Sequence, residues 1–533
     1  MSQSSDHASA HLRPAGPFGD IALSFSGGGY RAAAFHLGVL SLLNQLGLLG
    51  DVRVLSTVSG GTFTGMMYAV CAEERQSFDR FEEKMRSFLK GTNVIEAALG
   101  RMREQARAGQ LSPSLIRAAA EVYATDALFG PRTFGQLLDG ADSPIEELAF
   151  NATEFRTGNS FRFQKSRSPD AVIGNGLIEV KREVARSIRL ADIAAASSCF
   201  PSAFEPIRFP DDFQWPPGRS LAEIRRDLGA RLFTPGVALM DGGIFDNQGV
   251  GSIIQIYKRR VNQNRVGLVI ISDTSQSRDS LYEFPPRRRR GRLTLAHVAH
   301  GAWALFLVSL LTSVSLATDA IRSLQTSGLR LPGDIFRHLV PFGLSLSVAI
   351  LLAWLRARFL DGLRCVREKT GLAVWPLVRW LTIPDLIDLL SSRAGSLIAL
   401  TTSVFTKRVR GMIYKDINLY EKYRGRLVQN LVYDLRNESR RALFKKAPWI
   451  EPTRKLKELA AQAEAMPTTL WFTRGKEEEE LDRLVRCGRA TMCFNLLRYM
   501  LEKQSEGLSD PRSEISKLFQ RARAIWAEIN TDH

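Results

Sequence analysis

Apolar positions in the first half of the chain follow two rhythms. Short runs dense in β-branched and other apolar residues, at Ile21–Phe25, Val52–Val58, Val237–Met240 and Val266–Ile271, predict buried strands. Leu148–Thr153 and Ser160–Gln164 predict a strand pair. Between Ala32 and Leu49 the period lengthens. Phe35, Val39, Leu42, Leu43 and Leu46 share one face, which predicts a helix. Thr62–Cys71 predicts another, residues 74–140 read as largely helical and charged, and Arg189–Phe204 reads as a small-residue helix stopped at Pro201. Strand, loop, helix, strand, turn and helix in that order make a βαβ unit, so the fold class is α/β.

The second half differs. Leu293–Thr318 and Leu339–Leu355 contain no formally charged residue. Each approaches the roughly 20 residues that cross a bilayer. Trp303 and Trp354 lie near the ends of their densest parts, where aromatic belts form. A membrane hairpin is expected over about 293–318 and 339–355. Val374–Leu390 mixes Trp375, Trp380, Pro376 and Pro384 with Arg379, Asp385 and Asp388, and suits an interfacial amphipathic helix. Gly395–Thr406 is uncharged but too short to span. Helices are expected over Ile413–Phe444, Arg454–Met466 and Glu477–Leu501.

Composition sharpens this picture. With 72 Lys and Arg against 55 Asp and Glu, the net charge is +17, which suggests a polyanionic neighbour. The basic run Pro285–Arg292 adjoins an apolar segment and lacks interleaved aromatics. A membrane face therefore explains it better than nucleic acid, and no nucleic-acid partner is expected. More basic residues follow the second apolar segment (Arg356, Arg358, Arg364, Arg367, Lys369). The connector has only Arg322, Arg330 and Arg337, offset in part by Asp319 and Asp334. The positive-inside rule then puts both outer ends, and whatever the first half does, on the cytoplasmic side. The five cysteines form no C-x-x-C pair, so neither a zinc site nor a disulfide framework is supported, and a reducing compartment fits. The N-terminus shows no secretory h-region.

Two loops carry candidate chemistry. At Ser59-Gly60-Gly61 a strand turns sharply into a helix, which can present a serine hydroxyl at a strained tip beside helix N-terminal N–H groups. Thr57-Val58-Ser59-Gly60-Gly61 keeps the serine and trailing glycine of G-x-S-x-G, with Thr57 where the first glycine is usual. At Ser26-Gly27-Gly28-Gly29 three glycines join a strand to a helix. No mononucleotide-loop spacing is present, and such N–H groups could form an oxyanion hole, with Arg31 bracing the loop or adding positive potential. Asp241-Gly242-Gly243 ends another strand, and Asp241 could accept the Ser59 proton if burial raises its basicity. The seven histidines do not suit a triad. His36 alone lies near these loops, on a helix where packing is its simpler role. Ser197, Ser198 and Cys199 read as core or turn residues.

These motifs together resemble the patatin-like phospholipases. Ser26–Arg31 is similar to that family's glycine-rich oxyanion loop, Thr57–Gly61 to its nucleophile motif with one departure, and Asp241-Gly242-Gly243 to its catalytic Asp-Gly motif. Phe150–Gly158 and Ala196–Phe204 resemble intervening blocks, so the resemblance covers about residues 18–275. It implies a three-layer sandwich with helices on both faces of a mainly parallel sheet. It also implies a Ser59–Asp241 dyad, an oxyanion loop of Gly27, Gly28, Gly29 and Arg31, and hydrolysis of lipid acyl esters with no metal or organic cofactor. The expected layout is a lead-in (1–17), a catalytic domain (18–280), an inserted basic and apolar helical region (281–406) and C-terminal helices packing back on the catalytic domain (407–533). The expected function is a membrane-associated phospholipase A-like hydrolase acting on phospholipid or another acyl-ester lipid. The alternative is an inactive membrane-anchored scaffold on the same fold.

Overall fold

A computed structural model describes residues 16–107, 114–201, 203–229, 236–259, 266–277, 292–327, 332–371, 373–420, 423 and 425–531. Most of the expected lead-in and of the Pro285–Arg292 basic run lie outside these residues. The chain divides into two compact units, Met1–Asp279 with Val404–His533, and Ser280–Ser403.

In the first unit the chain runs β1 (Asp20–Phe25), α1 (Gly29–Gln45), β2 (Val52–Val58), α2 (Gly60–Glu73), α3 (Phe78–Gly91), α4 (Val94–Arg107), α5 (Leu115–Tyr123), α6 (Phe134–Asp139), β3 (Glu147–Glu154) and β4 (Asn159–Lys165). It continues through α7 (Arg182–Ala185), α8 (Leu190–Ser197), β5 (Ile207–Phe209), α9 (Leu221–Leu228), β6 (Val237–Asp241), α10 (Gly243–Asp246), α11 (Val250–Arg259) and β7 (Val266–Asp273).

One eight-stranded sheet results, ordered β5-β6-β3-β2-β1-β7-β8 with β4 also paired to β3. β3, β2, β1, β7 and β8 (Leu427–Leu431) are mutually parallel; β4 and β6 run against β3. The two-residue period of the strands splits the core between the faces. Ile21, Leu23 and Phe25 of β1, with Leu268 and Ile270 of β7, join the larger core under α1 and α2. Ala22, Val269 and Ile271 face the opposite way, into a smaller core with Val250, Ile253 and Ile256 of α11 and with Ile417. The fold is thus the patatin-type three-layer arrangement, with helices on both sides of a mixed, mostly parallel sheet.

After the second unit the chain re-enters through α16 (Phe405–Leu419), which carries Ile417. Two of its side chains bond the tip of β7: Arg410 Nε lies 2.8 Å from Asp273 Oδ2, and the Tyr414 hydroxyl donates to the same oxygen at 3.0 Å. The expected helix Ile413–Phe444 is corrected here. It ends at Leu419, β8 pairs in parallel with β7, and a short helix α17 (Arg441–Lys446) follows. β8 has only five residues, alternately buried and half-buried, and the charged residues around it hide a strand pattern. α18 (Arg454–Ala465), α19 (Glu477–Lys503), α20 (Ser505–Ser509) and α21 (Glu514–Asn530) complete the unit. α19 crosses α1 backbone to backbone: a Cβ on Gly38 would lie 2.0 Å from the Val485 carbonyl oxygen, and one on Gly488 2.0 Å from that of Phe35.

In the second unit α12 (Leu295–Ser327) and α13 (Pro332–Thr370) pair antiparallel. Ser313 Oγ meets Ser345 Oγ at 2.8 Å, and the Arg356 guanidinium lies 3.9 Å from the centre of the Trp303 ring. Both are long and apolar enough to cross a membrane, and most of their described apolar side chains, Leu305, Leu311, Val314, Leu344 and Ile350 among them, are exposed. The expected single amphipathic helix over Val374–Leu390 is two pieces, α14 (Val374–Val378) and α15 (Ile383–Ala399). Thr382 caps α15 in a capping box with Asp385, and Pro384 sits in its first turn, so the chain restarts there.

Candidate active site

Ser59 and Asp241 meet because two strands end against each other. β4 occupies one edge of β3 from Leu148 to Glu154. β2 and β6 must therefore share the other edge, and they take consecutive stretches of it. Val58 pairs with Asn151 and Asp241 with Ala152. β2 runs up to this point and β6 runs down to it, so the residue after β2 and the last residue of β6 are brought together. β6 departs from the usual pattern of parallel strand ends; its direction is set by pairing with β3, which a local strand pattern does not encode.

Ser59 has φ 49° and ψ −121°, a conformation that costs a non-glycine residue on the order of 1–3 kcal/mol. A chain of hydroxyls holds it. Its N–H donates to Ser197 Oγ at 3.0 Å, and Ser197 Oγ donates to the Asn151 carbonyl at 2.7 Å. That leaves Ser197 as acceptor from Thr62 Oγ1 (2.9 Å) and Thr62 as acceptor from Thr57 Oγ1 (3.0 Å). Ser197 is thus a brace of the elbow rather than a core or turn residue only. A run of small residues gave no local sign of this, since the partner is distant in sequence.

Asp241 is buried. One carboxyl oxygen, Oδ1, accepts the Gly243 N–H at 2.7 Å. Oδ2 has no hydrogen bond of normal geometry among the described residues. Burial raises its pKa from 3.8 to about 6; the adjacent Ser59 hydroxyl and the Gly243 N–H work in the opposite direction. A carboxylate so placed is a far better proton acceptor than one in water.

The glycine loop lies directly on the elbow. A Cβ on Gly27 would be 3.0 Å from Ser59 Cβ, and one on Gly60 would be 2.1 Å from the Gly29 carbonyl oxygen. Gly28 and Gly29 have φ of 142° and 56°, which only glycine adopts readily. The expectation that all three loop glycines offer free N–H groups is corrected at Gly27, whose N–H donates to the Asn247 carbonyl at 3.0 Å. The N–H groups of Gly28, Gly29 and Gly60 have no acceptor among the described residues. Arg31 is tied to the end of α18: its Nη1 donates to the carbonyls of Glu464 (3.1 Å) and Met466 (2.8 Å). It braces α1 against the turn after α18.

His36 is fully buried and stacks on Phe25, with ring centroids 4.5 Å apart. Nε2 bonds the Ser26 carbonyl at 3.1 Å, so it carries the proton, and Nδ1 accepts from Ser272 Oγ at 3.0 Å. Burial depresses its pKa to about 4, against the opposing pull of the Ser26 carbonyl and Asp273. It is a neutral support under the glycine loop. Among the described residues no cluster of three or more His, Cys, Asp or Glu is placed to hold a metal ion.

Residues 23–253 match the family model for patatin-like phospholipase. No curated protein sequence matches the chain. Among solved structures, human GIVD cytosolic phospholipase A2 aligns with a TM-score of 0.32 at 15% identity, covering 49% of this chain and 46% of that one. VipD from Legionella pneumophila aligns with a TM-score of 0.25 at 10% identity, covering 88% of this chain and 92% of that one. The chain thus spans about half the length of the human enzyme.

Proposed function

From a chain whose residues 23–253 form a patatin-like phospholipase domain, we propose a membrane-associated serine hydrolase that cleaves fatty acyl esters of glycerophospholipids. The observation that carries this reading is the head-on meeting of β2 and β6, which sets Ser59 beside a buried carboxylate with a pKa of about 6.

In this mechanism Asp241 takes the Ser59 proton as Oγ attacks the ester carbonyl carbon. The carbonyl oxygen becomes an oxyanion and is held by the N–H groups of Gly28 and Gly29, with Gly60 alongside. Gly27 shapes the loop through its bond to Asn247, and Arg31 fixes the helix behind it. The intermediate collapses, the bond to the glycerol oxygen breaks, and Asp241 returns the proton to that leaving oxygen. Water then attacks the acyl-serine with Asp241 again as base, and the fatty acid leaves. No histidine takes part.

The exposed apolar helices α12 and α13 support a hairpin that crosses the membrane. The arginines after its second arm favour both ends, and with them the catalytic domain, on the cytoplasmic side at the anionic leaflet.

A fluorophosphonate probe applied to the detergent-solubilised full chain should label Ser59, and Ser59→Ala should abolish both labelling and release of fatty acid from phospholipid vesicles, followed by mass spectrometry. An unlabelled wild-type protein would instead support a catalytically silent scaffold.

A further inference from the structure

We propose that Thr274 is a positioning residue that aims the Gly28 N–H at the oxyanion. The proposal rests on the Ser59 mechanism above and adds a residue from outside its motifs.

Two successive peptides of the glycine loop are pinned in different ways. The Ser26–Gly27 peptide is held at both ends: its carbonyl accepts from His36 Nε2 at 3.1 Å, and its N–H donates to the Asn247 carbonyl at 3.0 Å. The Gly27–Gly28 peptide is held at the carbonyl alone. Thr274 Oγ1 donates to Gly27 O at 3.1 Å and Ser26 Oγ donates to it at 3.2 Å. Thr274 also gives its backbone N–H to Ser26 Oγ at 3.0 Å, so it orders both donors.

A trans peptide is planar, and its C=O and N–H point in opposite directions. Pinning Gly27 O toward Thr274 therefore turns the Gly28 N–H away from Thr274. A Cβ on Gly27 would lie 3.0 Å from that of Ser59, so this donor belongs to the peptide that adjoins the nucleophile, and no described residue takes it. Three consecutive glycines have no side chains to resist rotation of this peptide. Thr274 supplies the missing constraint from the end of β7. Its Oγ1 sits where a Cβ on Gly28 would come within 2.8 Å, so hydroxyl and glycine are fitted to each other. A donor aimed beforehand costs no reorganisation as charge develops, which is where such a contact affects rate.

The test compares wild type, Thr274→Val, Thr274→Ser and Ser59→Ala, as full chains in detergent, with p-nitrophenyl butyrate as substrate. Thr274→Val removes the hydroxyl at nearly constant shape. It should lower kcat on the order of 10- to 100-fold while KM stays within about twofold, because the aim matters only in the transition state. The rate of fluorophosphonate inactivation should fall in parallel, and Thr274→Ser should restore most of both. Thr274→Val at wild-type kcat would overturn the proposal. So would a loss confined to KM, or a serine variant no better than valine. An active Ser59→Ala, or an inactive wild type, would bring down the Ser59 mechanism itself and this proposal with it; a dead Ser59→Ala beside an unimpaired Thr274→Val would sink the positioning role alone.

Discussion

The methyl group of Thr57 fills the space that a side chain at Gly65 would need: a Cβ built there would lie 2.4 Å from Thr57 Cγ2. A glycine commonly stands two residues before an elbow serine. Here threonine stands there, and the room it needs is made one strand-to-helix step away, in α2. The extra hydroxyl is not idle, since it begins the hydrogen-bond chain through Thr62 and Ser197 to the Ser59 N–H.

Gly65→Ala should accordingly destabilise the protein by about 1–3 kcal/mol through overpacking, although alanine is the better helix former. Thr57→Ser keeps the hydroxyl and removes the methyl, so the double variant should recover most of the loss. Urea unfolding of the four proteins measures the coupling, expected at about 1 kcal/mol or more. Strictly additive changes would contradict the pairing.

Asp241 must be ionised to accept a proton, and its pKa is raised to about 6. kcat/KM should therefore rise with pH through an acid limb near 6 and then level, without a second limb from histidine in the neutral range. His36, held near 4, is already neutral there. A pH–rate profile on a soluble ester checks this; Asp241→Asn should leave no activity to profile.

The same two groups oppose each other in stability. The unfolded chain protonates His36 at 6.5, but the native state resists until about 4, so this contribution is lost as pH falls between those values. Asp241 does the reverse: the native state takes its proton at about 6 and the unfolded chain only at 3.8, so acidification favours folding across that window. Each amounts to roughly 3 kcal/mol, and they largely cancel. Asp241→Asn removes one side, and its melting temperature should drop more steeply than that of wild type from pH 6 to pH 4. Equal slopes would refute the balance.

Gly60→Ala would push a Cβ to 2.1 Å from the Gly29 carbonyl oxygen and drive the glycine loop off the elbow. kcat should fall by about 10²–10³, the scale of losing an oxyanion donor, with the far-ultraviolet circular dichroism unchanged. Retained activity would mean that the loop does not serve the reaction.

If α12 and α13 cross a bilayer, the chain should stay with membranes through high-salt and alkaline carbonate washes and leave only in detergent. Release by carbonate alone would point to helices that merely lie on the surface.

Much of the fold was legible because its strands are short apolar runs and its first helices are cleanly periodic. Ser59 and the glycine loop stood out because strand-to-helix turns of small residues are locally distinctive. What stayed hidden depended on partners distant in sequence. Nothing within Val237–Asp241 says that the strand runs against its neighbours. Nothing near Ser197 names Ser59 as its partner, and β8 lies in a charged stretch with only alternate residues buried. The use of the Gly27 N–H by Asn247 likewise requires the turn after α10 to fold back on the end of β1.

The chain leaves the first unit after β7 and re-enters through α16, which is fastened to Asp273 at the tip of that same strand. Departure and return are thus buttoned at one residue. The next strand laid down after the excursion, β8, simply takes the place beside β7. Such a junction works as a socket: the excursion begins and ends at one strand tip and β8 pairs with β7 beside it, so the helical pair could be exchanged for another without redrawing a single strand pairing.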